Sequence, residues 1–122
     1  MQKQYDTIAV DFDGTLCADA FPEIGVPINH VIDFVKSHAK LGSKIILYTC
    51  RENGKKRALL DEAVTFCERH GIPLYAVNEN PGNPFPKKYG IIPGRKIFAD
   101  LYIEDKSLTP DKIAILVKWG KI

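Results

Sequence analysis

The chain reads as an α/β domain built on a short parallel sheet with helices on both faces. Three observations predict it. Short apolar runs rich in β-branched residues fall at 8–10, 43–49 and 72–77, which is strand-like composition. Stretches with helical apolar spacing, 28–41 and 55–70, alternate with them, and strand–helix alternation implies a parallel, doubly wound sheet with right-handed crossovers. The chain has 122 residues, 45% of them hydrophobic and 26% charged, so it can bury one core and has no room for a second domain. A single domain, 1–122, is expected.

The first strand, Ile8-Ala9-Val10, is bounded by polar residues, and a turn-rich loop at 17–27 follows it. Helix 28–41 carries Val31, Ile32, Phe34, Val35, Ala39 and Leu41 on one face, and Leu41-Gly42 is a stop signal. Strand 43–49 ends in Thr49. Helix 55–70 presents Leu59, Leu60, Ala63, Val64, Phe66 and Cys67 and ends at Gly71 before strand 72–77. Segment 78–94 contains Pro81, Pro84, Pro86 and Pro93 with three glycines and reads as an irregular loop, either a substrate loop or a stiff connector. A late strand within 96–105 leads to Glu104-Asp105. The last helix, 109–119, starts at Thr109-Pro110-Asp111, a cap followed by proline in the first turn, and its Ile113, Leu116 and Val117 are candidates to cover the sheet.

The chemistry concentrates at Asp11-Phe12-Asp13-Gly14-Thr15. Asp11 falls at the carboxyl end of the first strand, the edge where open α/β sheets bind ligands. Asp11 and Asp13 flank Phe12, so extended backbone aims both carboxylates the same way. Two close carboxylates repel unless a cation or proton intervenes, and Mg²⁺ accepts one or two carboxylates with water and phosphate. Gly14 permits the turn, and Thr15 brings a hydroxyl and N–H groups nearby. Taken alone, Asp-x-Asp-Gly is equally a turn motif in which Asp bonds its own backbone.

D-F-D-G-T after an amino-terminal apolar strand resembles the first motif of the haloacid dehalogenase-like (HAD) superfamily of phosphohydrolases, specifically its small, cap-less bacterial and phage members with a three-layer, Rossmann-like fold. The resemblance implies that Asp11 is a nucleophile forming an aspartyl-phosphate and Asp13 a general acid, then base. It also implies Mg²⁺ held by Asp11, the Asp13 backbone carbonyl and a later acid. Thr49 matches the expected Ser or Thr at the end of a second strand, and Arg51 is a candidate for a charge-assisted substrate contact. Asp105 matches the later acid. Glu104 stands where the paired-acid motif has aspartate. The family's lysine is Lys87, Lys88 or Lys96, with Lys96 preferred because it adjoins the Asp105 strand. Gly14, Thr15 and Arg51 are the expected substrate-binding residues, and Asp100 reads as a strand-entry cap.

The expected function is a Mg²⁺-dependent phosphomonoester hydrolase acting on a phosphorylated small molecule such as a sugar phosphate or nucleotide, or on a polymer-linked phosphate. The alternative is a low-turnover phosphate-binding or regulatory module of the same fold, motivated by Glu104 and the missing cap. A two-component receiver domain fails on order, because its phosphorylated aspartate ends the third strand. The formal net charge of +2 gives no general basic field for nucleic acid or membrane. No apolar stretch is long enough to span a bilayer, and the polar start at 1–6 lacks secretory character. Cys17, Cys50 and Cys67 form no C-x-x-C pair; with a reducing compartment expected, the reading is cytoplasmic. Cys50 reads as a structural thiol, and His30 and His38 lack ligand spacing. An open, uncapped site favours a bulky ester or closure by a second subunit.

Overall fold

The computed structural model describes residues 2–121, so the ends of the expected 1–122 domain, Met1 and Ile122, lie outside the described residues. Its centre is strand β1 (Thr7–Val10), buried at every position. Ile8 and Val10 face one side of the sheet and Ala9 the other, as period-two alternation in a doubly covered strand requires. β1 pairs in parallel with β4 (Lys44–Leu47) and with β6 (Leu101–Ile103), and β4 pairs in parallel with β5 (Leu74–Val77), giving the order β5-β4-β1-β6. Between β1 and β4 come β2 (Cys17–Ala20), β3 (Glu23–Pro27) and helix α1 (Asn29–Lys40). Helix α2 (Leu59–Arg69) joins β4 to β5, helix α3 (Phe85–Tyr89) lies before β6, and α4 (Pro110–Lys118) follows it.

The order explains how the sheet is covered. Steps β1→β4 and β4→β5 run in the same direction, so right-handed crossovers put α1 and α2 on one face. There Ile32 and Val35 of α1 and Ala63, Phe66 and Cys67 of α2 join Ile8, Val10, Ile45 and Leu47 in the larger core. The step from β5 back to β6 reverses direction and crosses the other face. That face is smaller: Ile97 and Ala99 of the connection pack on Ala9 and Ile46, flanked by Tyr48, Ala76 and Tyr102. The expected second helical layer is therefore reduced to the five-residue α3 and an extended segment.

Other expectations need correction. The 17–27 loop is an antiparallel hairpin in which Asp19 pairs with Ile24 and Ala20 with Glu23 around Phe21-Pro22; the prolines and glycine of that stretch hid its pairing. Helix α2 starts later than expected because Asn53 supplies its cap from the preceding loop, its Oδ1 accepting from Leu60 N and Asp61 N at 3.1 and 3.0 Å. Segment 96–100 is not strand. Asp100 instead brackets Thr7, its N–H donating to Thr7 O at 2.8 Å and its carboxylate accepting from Thr7 N at 2.8 Å, so the reading of Asp100 as a strand-entry residue agrees with the structure. Helix α4 is capped by Thr109 as expected, but it buries no residue and does not cover the sheet.

Candidate active site

The sheet order places a topological switch point between β1 and β6, because the chain leaves β1 toward β4 and returns on the opposite side. Crevices at such points, outside the carboxyl ends of the strands, are where open α/β sheets bind ligands. A cleft of about 440 Å³ opens there, lined by Asp11, Asp13 and Asp19, by Tyr48, Thr49 and Cys50 after β4, and by Glu104, Asp105 and Lys106 after β6. Four of the sequence-predicted residues, Asp11, Asp13, Thr49 and Asp105, thus meet in one place.

Backbone bonds fix their positions. Asp11 N donates to Ile103 O at 2.9 Å and Tyr48 N to Val10 O at 2.8 Å, extending the ladders of β1 to both neighbours. Thr49 N donates to Asn78 Oδ1 at 2.8 Å; Asn78 adopts a left-handed φ of 56°, which asparagine tolerates better than most residues. The Thr49 hydroxyl accepts from Arg51 N at 3.1 Å, and its own proton is directed by rotation. Gly14 has φ 80°, and a Cβ there would collide with the Asp105 carboxylate. Glycine is therefore required twice, for the turn and for the close approach of the β6 end.

The remaining predicted residues do not line the cleft. Gly14 N donates to Cys17 O at 2.8 Å and Thr15 N to Phe12 O at 3.1 Å, so both N–H groups close the turn and neither points at a ligand. The Thr15 hydroxyl is buried without a partner and does not line the cleft. Lys96 places its Nζ 4.9 Å from the Tyr102 ring centroid in a neighbouring pocket with Arg95 and Asp100. Lys87 lines a different pocket with Asn80 and Phe98, and Lys88 lies over Tyr89. Lys106 is the lysine at the cleft. Its signal in the sequence is adjacency to Asp105, on the far side of the acidic pair from Lys87, Lys88 and Lys96.

Arg51 is the largest correction. Its side chain is 1% exposed, and it turns inward to Asp13 instead of toward a substrate. Nε donates to Asp13 Oδ2 and Nη2 to Asp13 Oδ1, both at 2.8 Å, the fork geometry that suits a carboxylate. The guanidinium also donates to Pro22 O at 3.2 Å and Glu23 O at 2.9 Å in the hairpin, and to Leu59 O at 3.5 Å at the start of α2. Phe12 and Phe21 stack on it with centroids 5.0 and 5.2 Å from Cζ. The Asp13 pairing holds its guanidinium more firmly protonated than usual.

Burial pushes the Asp11 carboxyl above the ordinary aspartate range; the Phe12 N–H opposes this, while Asp105, Glu104 and Asp13 add to it. A cation relieves such a cluster. Among the described residues no three His, Cys, Asp or Glu side chains form a ready-made metal cage. The carboxylates that line the cleft, those of Asp11, Asp13, Asp19, Glu104 and Asp105, are oxygen donors, the ligand type that hard cations such as Mg²⁺ take, in contrast to the nitrogen- and sulfur-rich sites of zinc. Among the described residues no helix is long and apolar enough to cross a membrane.

No protein-family model matches the chain, and no curated protein matches it. The solved structure of a conserved protein from Bacteroides thetaiotaomicron is similar to it, with 35% identity and a TM-score of 0.68 over 95% of this chain and 92% of that one. An α/β architecture shared over nearly the whole of both chains at this identity is a family likeness, and the chain belongs to the same family as that conserved Bacteroides protein.

Proposed function

We propose that the protein is a Mg²⁺-dependent phosphomonoester hydrolase of the HAD type that works through an aspartyl-phosphate. The observation that carries this reading is the chemistry that the adjacent carboxyl ends of β1, β4 and β6 bring to one cleft at the switch point, where Asp11, Asp13, Thr49 and Asp105 supply three carboxylates and a hydroxyl. Asp11 Oδ attacks phosphorus and the ester oxygen leaves with the P–O bond electrons, taking a proton from Asp13. In the second half Asp13 takes a proton from water, whose oxygen attacks the aspartyl-phosphate and frees Asp11 and inorganic phosphate. Thr49 donates its hydroxyl proton to a phosphate oxygen, and Lys106 sets its charge against the phosphate. Asp11, Asp105 and the Asp13 carbonyl are the residues that would hold Mg²⁺, which when bound offsets repulsion between the anionic nucleophile and phosphate.

Phosphate release from a panel of phosphorylated metabolites, with Mg²⁺ and with chelator, tests the reading. Wild type should release phosphate only with Mg²⁺, and Asp11→Asn and Asp13→Asn should each lose roughly 10²-fold or more. Equal rates in all three proteins would overturn it. One observation favours the alternative of a binding module with little turnover: both Asp13 oxygens are already engaged by Arg51. Saturable Mg²⁺-dependent binding of a phosphorylated metabolite without single-turnover product would establish that alternative.

A further inference from the structure

The phosphatase reading uses the Asp13 carboxylate but leaves unexplained what the buried Arg51 does, and on that reading we propose that Arg51 is the positioning residue of the site, linking the orientation of Asp13 to the seating of the β2–β3 hairpin. Arg51 stands between two things that have no direct need of each other. On one side its Nε and Nη2 grip both oxygens of Asp13 at 2.8 Å, which fixes the plane of the carboxyl group and leaves each oxygen a second lone pair to hold the proton that passes to the leaving oxygen and is regained from water. On the other side Nη1 and Nη2 reach the carbonyls of Pro22 and Glu23, at the turn end of the hairpin, where Phe21 covers the guanidinium.

The hairpin has few other anchors at that end. Phe21 is 57% exposed, and the Glu23 carboxylate is tied to the body through the exposed Arg57, which also pairs with Glu62 of α2. Exposed pairs of that kind hold weakly. Beside the packing of Ile24 on the larger core, the buried guanidinium is therefore the buried polar tie between the turn and the body, and the same group aims the proposed acid. Asp19 of the hairpin lines the cleft beside Asp13, so a shift of β2–β3 alters the entrance and the acid together. A lysine cannot substitute, because an ammonium lacks the planar fork that engages two carboxylate oxygens and two carbonyls at once.

Steady-state kinetics on two esters and hydrogen exchange test the link. An acid matters most when the leaving oxygen is a poor one, so misaiming Asp13 should penalise an alkyl phosphate far more than 4-nitrophenyl phosphate. Arg51→Lys should lower kcat for the alkyl ester by roughly 10²-fold and for the nitrophenyl ester by less than about tenfold, with KM for both within a few fold. Amides of 17–27 should exchange faster in Arg51→Lys and in Asp13→Asn. Phe21→Ala alters an exposed side chain, folds even if the lysine variant does not, and should shift both readouts in the same direction by a smaller factor. Equal kcat losses on the two esters, or hairpin exchange unchanged in Asp13→Asn and Phe21→Ala, would overturn the link. If wild type hydrolyses neither ester, the phosphatase reading fails by itself, and the exchange measurements decide whether Arg51 couples Asp13 to the hairpin.

Discussion

Residues 7–77 and residues 78–121 build the same cleft from very different foundations. All the buried members of the larger core lie between Ile8 and Ile72, and this part carries Asp11, Asp13, Thr49 and Arg51. The later part contributes Ile97 and Ala99 to the smaller core, while α4 buries nothing and leaves Ile113, Ile115, Val117 and Trp119 exposed. Yet it supplies Glu104, Asp105 and Lys106. The proposed nucleophile and acid are thus preorganised by packing, whereas the acidic wall hangs on three residues of β6 and on the contact of Asp105 with Gly14. Regions with few buried apolar contacts open locally at low free energy, so the two walls of the site should differ in rigidity.

The largest expected effect strikes the packed side. Phe12 is fully buried, edge-on to Phe66 with centroids 5.2 Å apart, and lies under the Arg51 guanidinium. Phe12→Ala should lower unfolding free energy by about 3–5 kcal/mol in a urea titration; a change below about 1 kcal/mol would show that the packing does not hold the motif. Next comes the junction of the two parts. Gly14→Ala meets both the left-handed backbone and the Asp105 carboxylate, and should destabilise by about 1–3 kcal/mol while activity falls through displaced Asp105. Stability loss with full activity would separate Asp105 from the chemistry.

A smaller effect has the opposite sign. Burial raises the Asp11 carboxyl in the folded protein above its unfolded value. Its contribution to stability is therefore fully present below the unfolded pKa and is lost as pH rises through the folded one, so at neutral pH the ionised group works against folding. In Mg²⁺-free buffer Asp11→Asn should raise Tm at neutral pH by on the order of a few degrees, and the gap should close in acid. A lowered Tm at neutral pH would contradict the assignment. The smallest effect belongs to α4: Ile115→Ser should change stability by no more than about 0.5 kcal/mol, with the amides of 110–118 exchanging early in wild type as well. Strong protection there would show that the helix is covered.

Legibility followed locality. Asp11, Thr49 and Asp105 could be located because each follows a short apolar run, and strand ends are where a parallel sheet gathers its ligands. Arg51 could not be read correctly, since its partner Asp13 lies far along the chain and nothing local distinguishes an inward-facing arginine from a substrate contact. Lys96 lies outside the cleft for a related reason: 96–100 resembles strand in composition, but Asp100 bonds Thr7 and the β6 pairing starts only at Leu101. The hairpin was hidden by Pro22, Gly25 and Pro27, residues that locally favour loops and here sit at its turn, beside a close approach to Ala18 O, and at its end. Helix α4 is legible as a helix because its Thr109 cap is local, while its failure to cover the sheet is not, because packing depends on the rest of the chain.

The central claim is that Asp11 carries the phosphoryl group and Asp13 moves the protons. Acid-quenched single turnover with Mg²⁺ and a hydrolysed ester, followed by peptide mass spectrometry, reads this directly. The account predicts a phosphoryl adduct on the peptide containing Asp11 in wild type, its persistence in Asp13→Asn when an aryl phosphate with a good leaving group is used, and its absence in Asp11→Asn. An adduct on another residue, or phosphate release by Asp11→Asn at the wild-type rate, would contradict it.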